Sequence, residues 1–282
     1  MSILYIDKSD CVIGKQDNRI TVKYKDGMVR TIPVESIDGI TLLGHAQVTT
    51  QCIQECLKKG ISLSYFSKGG HYFGRLSSTG HIKASLQRKQ AGLYDQLFAL
   101  ELSKKIIYAK IHNQIVVLKR YSRSTNHNIS DIELHMKSAL RKVNYVKSIE
   151  ELMGYEGSAA RYYFKGLSMC IDEAFEFEGR SKRPPRDAFN SMLSLGYSIL
   201  MNELYGEIEI KGLNAYFGFL HRDAEKHPTL ASDMMEEWRA VLIDSTVMSM
   251  INGHEVHIDE FYSDDGEGVY ISKQALNKFI KK

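Results

Sequence analysis

Residues 61–100, ISLSYFSKGGHYFGRLSSTGHIKASLQRKQAGLYDQLFAL, contain the change of period that decides the fold. ISLSYFS (61–67) and HYFGRLS (71–77) alternate like strands and join around Lys68-Gly69-Gly70, a hairpin signal. After LSSTGHIKASL the strand signals stop. From Gln90 to Ser122, Leu93, Leu97, Leu100, Ile107 and Ile111 recur at helical spacing, which predicts a long amphipathic helix. The boundary is expected near residues 78–88, with one domain over 1–84 and a second over 85–282.

Upstream, RITVKY (19–24) alternates, Lys25-Asp26-Gly27 marks a turn and MVRTIPV returns as a second strand. GITLLG (39–44) reads as a strand and TTQCIQECLKKG (49–60) as a short helix with a Thr start and a Gly stop. The N-terminal part is thus expected to be a small sheet module with one helix. Downstream, STNHNISD (124–131) breaks the helical pattern, and another helix follows to about residue 145. Ser148-Ile-Glu-Glu151 resembles a capping box for a further short helix. The expected class is α+β: a small N-terminal β-sheet domain followed by a larger all-α domain.

With 282 residues and 43% hydrophobic composition the chain can bury a sizeable core. Charged residues at 25% exclude broad disorder. No apolar run reaches ~18 residues, and the N-terminus lacks a basic and then apolar leader, so neither a membrane span nor a signal peptide is expected. The four cysteines form no C-x-x-C pair, consistent with free thiols in a reducing cytoplasm. Net charge is only +3, yet residues 81–147 carry thirteen Lys/Arg against four Asp/Glu. That imbalance suits either a polyanion partner or a solvated helix surface.

Four stretches could carry chemistry. In FGFLHRDAEKHPTLASDMMEEW (217–238), His221 closes an apolar run, and Thr229 is expected to cap a helix with Leu230, Met234, Trp238 and Val241 on one apolar stripe. Asp233, Glu236 and Glu237 then fall on one side of it. They either bind a cation or pair with Arg and Lys. In LMGYEGSAARYYF (152–164), the two glycines suggest a helix junction, with Glu156 at the start of a new helix as a cap or an outward-reaching carboxylate. In GRSKRPPRDAFN (179–190), Arg180, Lys182, Arg183 and Arg186 surround a double proline before a helix start at Asp187. Phosphate contact and a solvated loop are both open. His254 and His257 in NGHEVHIDEF suit a strand better than shared metal ligation.

These stretches resemble the CRISPR-associated adaptation integrase, the Cas-one family. The resemblance rests on GYEGSAARYYF with its Glu-Gly-x-x-Ala pattern, on GRSKRPPRDAFNSMLSLGYSIL, and on GFLHRD followed by Thr-Leu-Ala-x-Asp-x-x-Glu-Glu. The N-terminal strands, KIHNQ (110–114) and GVYIS (268–272) fit as well. The Arg-Pro-Pro-Arg-Asp and Gly-Phe-Leu-His-Arg-Asp forms look most like subtype I-C. Glu225 to Thr229 depart from the family's usual loop, and relatives commonly continue beyond the equivalent of Lys282.

The resemblance implies a metal-dependent DNA endonuclease and integrase. Glu156, His221 and Glu236 would be catalytic ligands of Mg²⁺ or Mn²⁺, and Asp233 a supporting acid. Arg161, Arg180, Lys182, Arg183 and Arg186 are candidate DNA contacts. Implied partners are double-stranded DNA (a short fragment and the CRISPR repeat), a second copy through the β-domain, and a small ferredoxin-like second adaptation protein bridging two dimers. Hydrolysis of branched DNA and an inactive DNA-binding scaffold are the alternative readings.

Overall fold

Alternating apolar residues build the first sheet in the computed structural model. It describes residues 2–8, 10–67, 72–80, 82–182, 184–222, 224–264 and 268–282. β2 (Cys11–Gln16), β3 (Arg19–Lys23) and β4 (Val29–Pro33) are antiparallel. Tyr24 N–H donates to the Met28 carbonyl at 2.9 Å and closes the expected Lys25-Asp26-Gly27 turn. β6 (Ala46–Val48) joins the other side of β2 in parallel.

A second sheet runs β1 (Ile3–Ile6), β5 (Gly39–Leu43), β7 (Ser62–Phe66), β8 (Tyr72–Leu76), parallel except for the β7–β8 pair. The expected Lys68-Gly69-Gly70 turn lies outside the described residues. α1 (Thr50–Lys59) is capped by Thr49, whose hydroxyl accepts from Cys52 N–H. It ends at Gly60, whose φ of 74° favours glycine. Cys52 and Cys56 on α1 pack with Ile13, Ile20, Ile40, Leu42 and Leu63 as the core. All four cysteines are free and buried. The sequence pointed to a small sheet module; the module contains two four-stranded sheets.

The chain divides into two compact units, Met1–Ile82 and Lys83–Lys282. The second contains α2 (Ala84–Ala91), α3 (Leu97–Thr125), α4 (Ser130–Val143), α5 (Ile149–Cys170), α6 (Ala188–Ile210), α7 (Thr229–Glu236), α8 (Ser245–Asn252) and α9 (Lys273–Lys281). A hairpin of β9 (Phe261–Asp264) and β10 (Gly268–Ile271) joins them, so this part is helical but not all-α. Among the described residues no helix is long and apolar enough to cross a membrane.

Several local expectations change. The 90–122 pattern is two helices, because Gly92 ends α2 with its N–H on the Arg88 carbonyl, and a turn over Leu93–Gln96 resets the register. Leu97, expected on the apolar stripe, is 72% exposed, while Ile106, Ile107, Ile111, Ile115 and Leu118 form the buried face of α3. Gly154 and Gly157 do not break a helix. They lie inside α5, on its exposed side, at a propensity cost of about 1 kcal/mol each. Burial of Leu152, Ala159, Tyr163 and Leu167 on the other face outweighs that cost. The helix started by Ser148 is therefore long, and Glu156 sits within it rather than at its N-terminus. The reciprocal cap runs from the Glu151 carboxylate to Lys147 N–H. His254 occupies the left-handed region at φ 53°, and His257 precedes a 3-10 turn over Ile258–Glu260, so this stretch is not a strand.

Candidate active site

The loop carrying His221 is fastened to α7 by two side chains one helical turn apart. Thr229 does not cap α7: it is the first helical residue, and its hydroxyl accepts from Gly218 N–H at 3.0 Å and donates to the Tyr216 carbonyl at 2.6 Å. Asp233 Oδ2 accepts from Phe219 N–H at 2.6 Å and Leu220 N–H at 2.9 Å, and its Oδ1 accepts from His221 N–H at 2.9 Å. Four successive amides are thus satisfied by α7. Gly218 is required by this close approach, since a Cβ there would lie 2.8 Å from the Thr229 carbonyl carbon.

Asp233 is fully buried, and its Oδ1 also stands 2.8 Å from His221 Nδ1. The contact places the imidazole proton on Nδ1 and leaves the Nε2 lone pair free to accept or to ligate. Nε2 faces Glu236 Oε1 at 3.9 Å.

α7 is buried almost all round, so it carries no single apolar stripe. It ends at Glu236, and a π-helical turn over Arg239–Asp244 leads into α8. Extra residues in such a turn shift the helical register. Trp238, expected on the apolar stripe, lies just past the end of α7 and is 44% exposed. Arg239 is turned back so that its guanidinium lies 3.2 Å from Glu236 Oε1. Asn113 on α3 caps the end of α7 by donating to the Glu237 carbonyl at 2.8 Å.

Lys110 on α3 connects the remaining acids. Its ammonium is hydrogen-bonded to Glu156 Oε1 on α5 and lies 2.6 Å from Glu236 Oε2 on α7. The second contact is a close ion pair, so one ammonium bridges the two carboxylates. Lys110 is 7% exposed. Burial alone would lower its pKa, but Glu236 and Glu156 outweigh burial and hold the ammonium above the usual lysine range. For Glu236, burial would raise the carboxyl, but Lys110 and Arg239 win and hold it below the usual carboxylate range. In the sequence Lys110 stands only as the first residue of KIHNQ, with no role of its own. The available signal was one lysine within the helical spacing of Ile106, Ile107 and Ile111.

Behind Arg239 lies a fully buried carboxylate. Asp244 accepts from the hydroxyls of Tyr163 at 2.9 Å and of Tyr197, and burial pushes its pKa up to about 6 against those hydroxyls and Arg239 and Arg180. The Tyr197 ring meets two guanidiniums, Arg239 at 5.0 Å and Arg180 at 5.4 Å.

The structure thus brings Glu156, His221, Glu236 and Asp233 into one cluster, with Lys110 and Arg239. The candidate DNA residues separate. Arg180 is tied to Asn190 at 2.8 Å, to Ser194 at 3.0 Å and to the Ser181 carbonyl, so it orders the loop from inside. Lys182, Arg186 and Arg161 are exposed; Arg183 lies outside the described residues. Asp187 caps α6 as expected by accepting from Asn190 N–H. A Ser–His contact does occur, with Ser232 Oγ 2.7 Å from His227 Nε2, but Ser232 is buried on α7 and the contact ties the loop down.

As arranged, no group of three or more His, Cys, Asp or Glu among the described residues stands close enough to hold an ion. The donor chemistry nevertheless fits a hard divalent cation. Glu156 and Glu236 converge on one ammonium, and His221 Nε2 faces Glu236 Oε1, so two carboxylates and an imidazole nitrogen of the right type lie together.

The sequence profile of the family described as CRISPR associated protein Cas1 matches residues 4–282. A CRISPR-associated endonuclease Cas1 of Mycobacterium tuberculosis is 40% identical over 280 residues, covering 99% of this chain and 82% of the relative. The structure of TM1797, a Cas1 protein of Thermotoga maritima, superposes with a TM-score of 0.86 at 22% identity, covering 100% of this chain and 88% of that one. A chain of a Cas6-RT-Cas1–Cas2 complex gives a TM-score of 0.83 at 25% identity, over 99% of this chain and 31% of that one.

Proposed function

The chain belongs to the Cas1 family, and from that premise we propose that it inserts short DNA fragments into a CRISPR array. In this reading the 3′-hydroxyl of the fragment loses its proton and attacks a phosphodiester at the repeat; a new P–O bond forms as the original P–O3′ bond breaks, and the displaced 3′-oxygen leaves as a hydroxyl. The observation that carries it is the convergence of Glu156, His221 and Glu236 from α5, the loop and α7 beside Arg239 and Lys110. Those three residues would hold Mg²⁺ or Mn²⁺. Bound there, the ion would draw charge from the phosphate oxygens and favour the deprotonated hydroxyl. Asp233 keeps the His221 tautomer and ring orientation. Arg239 supplies fixed positive charge beside the reacting phosphate. No side chain needs to form a covalent intermediate.

Exposed Lys182, Arg186 and Arg161 would hold the DNA backbone, largely without reading sequence. The β-sheet unit would dimerise. The likeness to a chain of a Cas1–Cas2 assembly supports a second adaptation protein as partner; in this reading it would be small and ferredoxin-like and would bridge two dimers. The Arg-Pro-Pro-Arg-Asp and Gly-Phe-Leu-His-Arg-Asp forms support the narrower placing in subtype I-C.

The test is transfer of a labelled duplex into repeat DNA, with the small partner present, in Mn²⁺ and in EDTA. Duplexes carrying a free or a blocked 3′-hydroxyl are compared, for the wild type and Glu156→Ala. Joined product that needs the free hydroxyl, the metal and Glu156 is expected. Cleavage of branched DNA without joining would favour a nuclease. Binding without reaction would make the chain a scaffold.

A further inference from the structure

Lys110 is the one group in the cluster that the proposed reaction does not explain. A buried lysine among isoleucines is expensive unless its charge is answered. Here it is answered twice, by Glu156 and by Glu236, the two carboxylates of the candidate metal centre. Arg239 stands on the other oxygen of Glu236, so Glu156 and Glu236 are matched by two cationic side chains, while the third acid, Asp233, is engaged by the loop amides and His221. A divalent ion that used the same carboxylate oxygens would need the space of the ammonium. Adding it beside the lysine would set two further positive charges against the same two carboxylates.

We propose that Lys110 is a built-in counter-cation of the metal centre: it keeps Glu156 and Glu236 together in the metal-free protein, and a divalent ion must displace it to bind. Lys110 therefore sets the metal affinity. Displacement replaces a single positive charge by a double one at the two carboxylates, which suits an incoming phosphodiester. The inference rests on the proposed metal reading and adds a positioning residue to it.

The experiment is a Mn²⁺ titration of the full chain without DNA, followed by electron paramagnetic resonance, for the wild type, Lys110→Met, Lys110→Arg and Glu236→Gln. Methionine keeps the length and apolar stem of lysine and removes the charge. Mn²⁺ is expected to bind K110M about tenfold tighter or more, while K110R stays near the wild type. In the wild type, mass spectrometry after amine labelling should show Lys110 protected without Mn²⁺ and labelled with it, a readout that does not depend on a variant folding. K110M binding no tighter than the wild type, or Lys110 labelling unchanged by Mn²⁺, would overturn the inference while leaving the metal reading intact. Wild-type binding that is absent, or that E236Q does not weaken, would overturn both.

Discussion

His221 is held by hydrogen bonds, whereas Glu156 and Glu236 are held by charge. On the first side, Asp233 and Thr229 satisfy the backbone from Gly218 to His221 and orient the imidazole through Nδ1. On the second, one ammonium and one guanidinium keep two carboxylates close in a buried setting. Hydrogen bonds to backbone fix a single geometry. A buried ion cluster keeps its geometry only while its charges balance, and another cation can enter the same balance. In the proposed reading the site joins a rigid half, which would place a ligand, to an exchangeable half, which would receive a cation.

The largest effect is expected where the charge balance is broken from one side. Glu236→Ala leaves buried Lys110 and half-buried Arg239 with too little negative charge, and urea unfolding should show a loss of about 3–5 kcal/mol. On the rigid side, Asp233→Asn preserves volume but weakens the contacts to three amides and to Nδ1. Its Mn²⁺ affinity or transfer rate should fall ~10–100-fold, the range for groups that orient a ligand. A loss only in stability, with affinity kept, would show that Asp233 serves the loop and not the histidine. Gly218→Ala should destabilise by about 1–3 kcal/mol, because the new methyl meets the Thr229 backbone rather than a flexible side chain.

The pH dependence sharpens the account of the charged half. Lys110 lies above the usual lysine range when folded, so its contribution is intact below about pH 10.4 and is lost as pH rises through the folded value. Glu236 lies below the usual range, so its contribution is intact above about pH 4.3 and is lost as pH falls through the folded value. Asp244 runs the other way. With its pKa raised from 3.8 to about 6, the native state binds its proton more tightly, and its share of stability falls as pH rises across that window. Urea titrations between pH 4 and 7 should lose this slope in Asp244→Asn. The smallest effect is expected at the exposed loop: Lys182→Ala and Arg186→Ala should leave unfolding unchanged and each reduce the salt slope of DNA binding by about one.

How legible each half was follows from the same contrast. The twelve-residue step from His221 to Asp233 is local, and the acids of TLASDMMEE lie on one short helix, so spacing brought them together on paper. The strands of the first unit and the caps at Thr49 and Asp187 were legible because alternation and capping chemistry act over a few residues. Lys110 was not. Its partners lie 46 residues and more away on two other helices, and only packing brings them together. Gly154 and Gly157 misled for a related reason: local propensity argued for a break, and tertiary burial of the opposite face of α5 overrode it. Arg180 was counted with the DNA-facing residues because a cluster of basic residues does not reveal which one turns inward to a tyrosine ring.

The most direct test of the account is whether one divalent ion is shared by residues from α5, the His221 loop and α7. Mn²⁺ binding to the full chain should be compared for the wild type, Glu156→Gln, His221→Ala and Glu236→Gln, with folding of each checked by circular dichroism. One site in the wild type, weakened at least tenfold in each variant, is the predicted result. Binding that survives replacement of any of the three by a folded variant would contradict a shared centre.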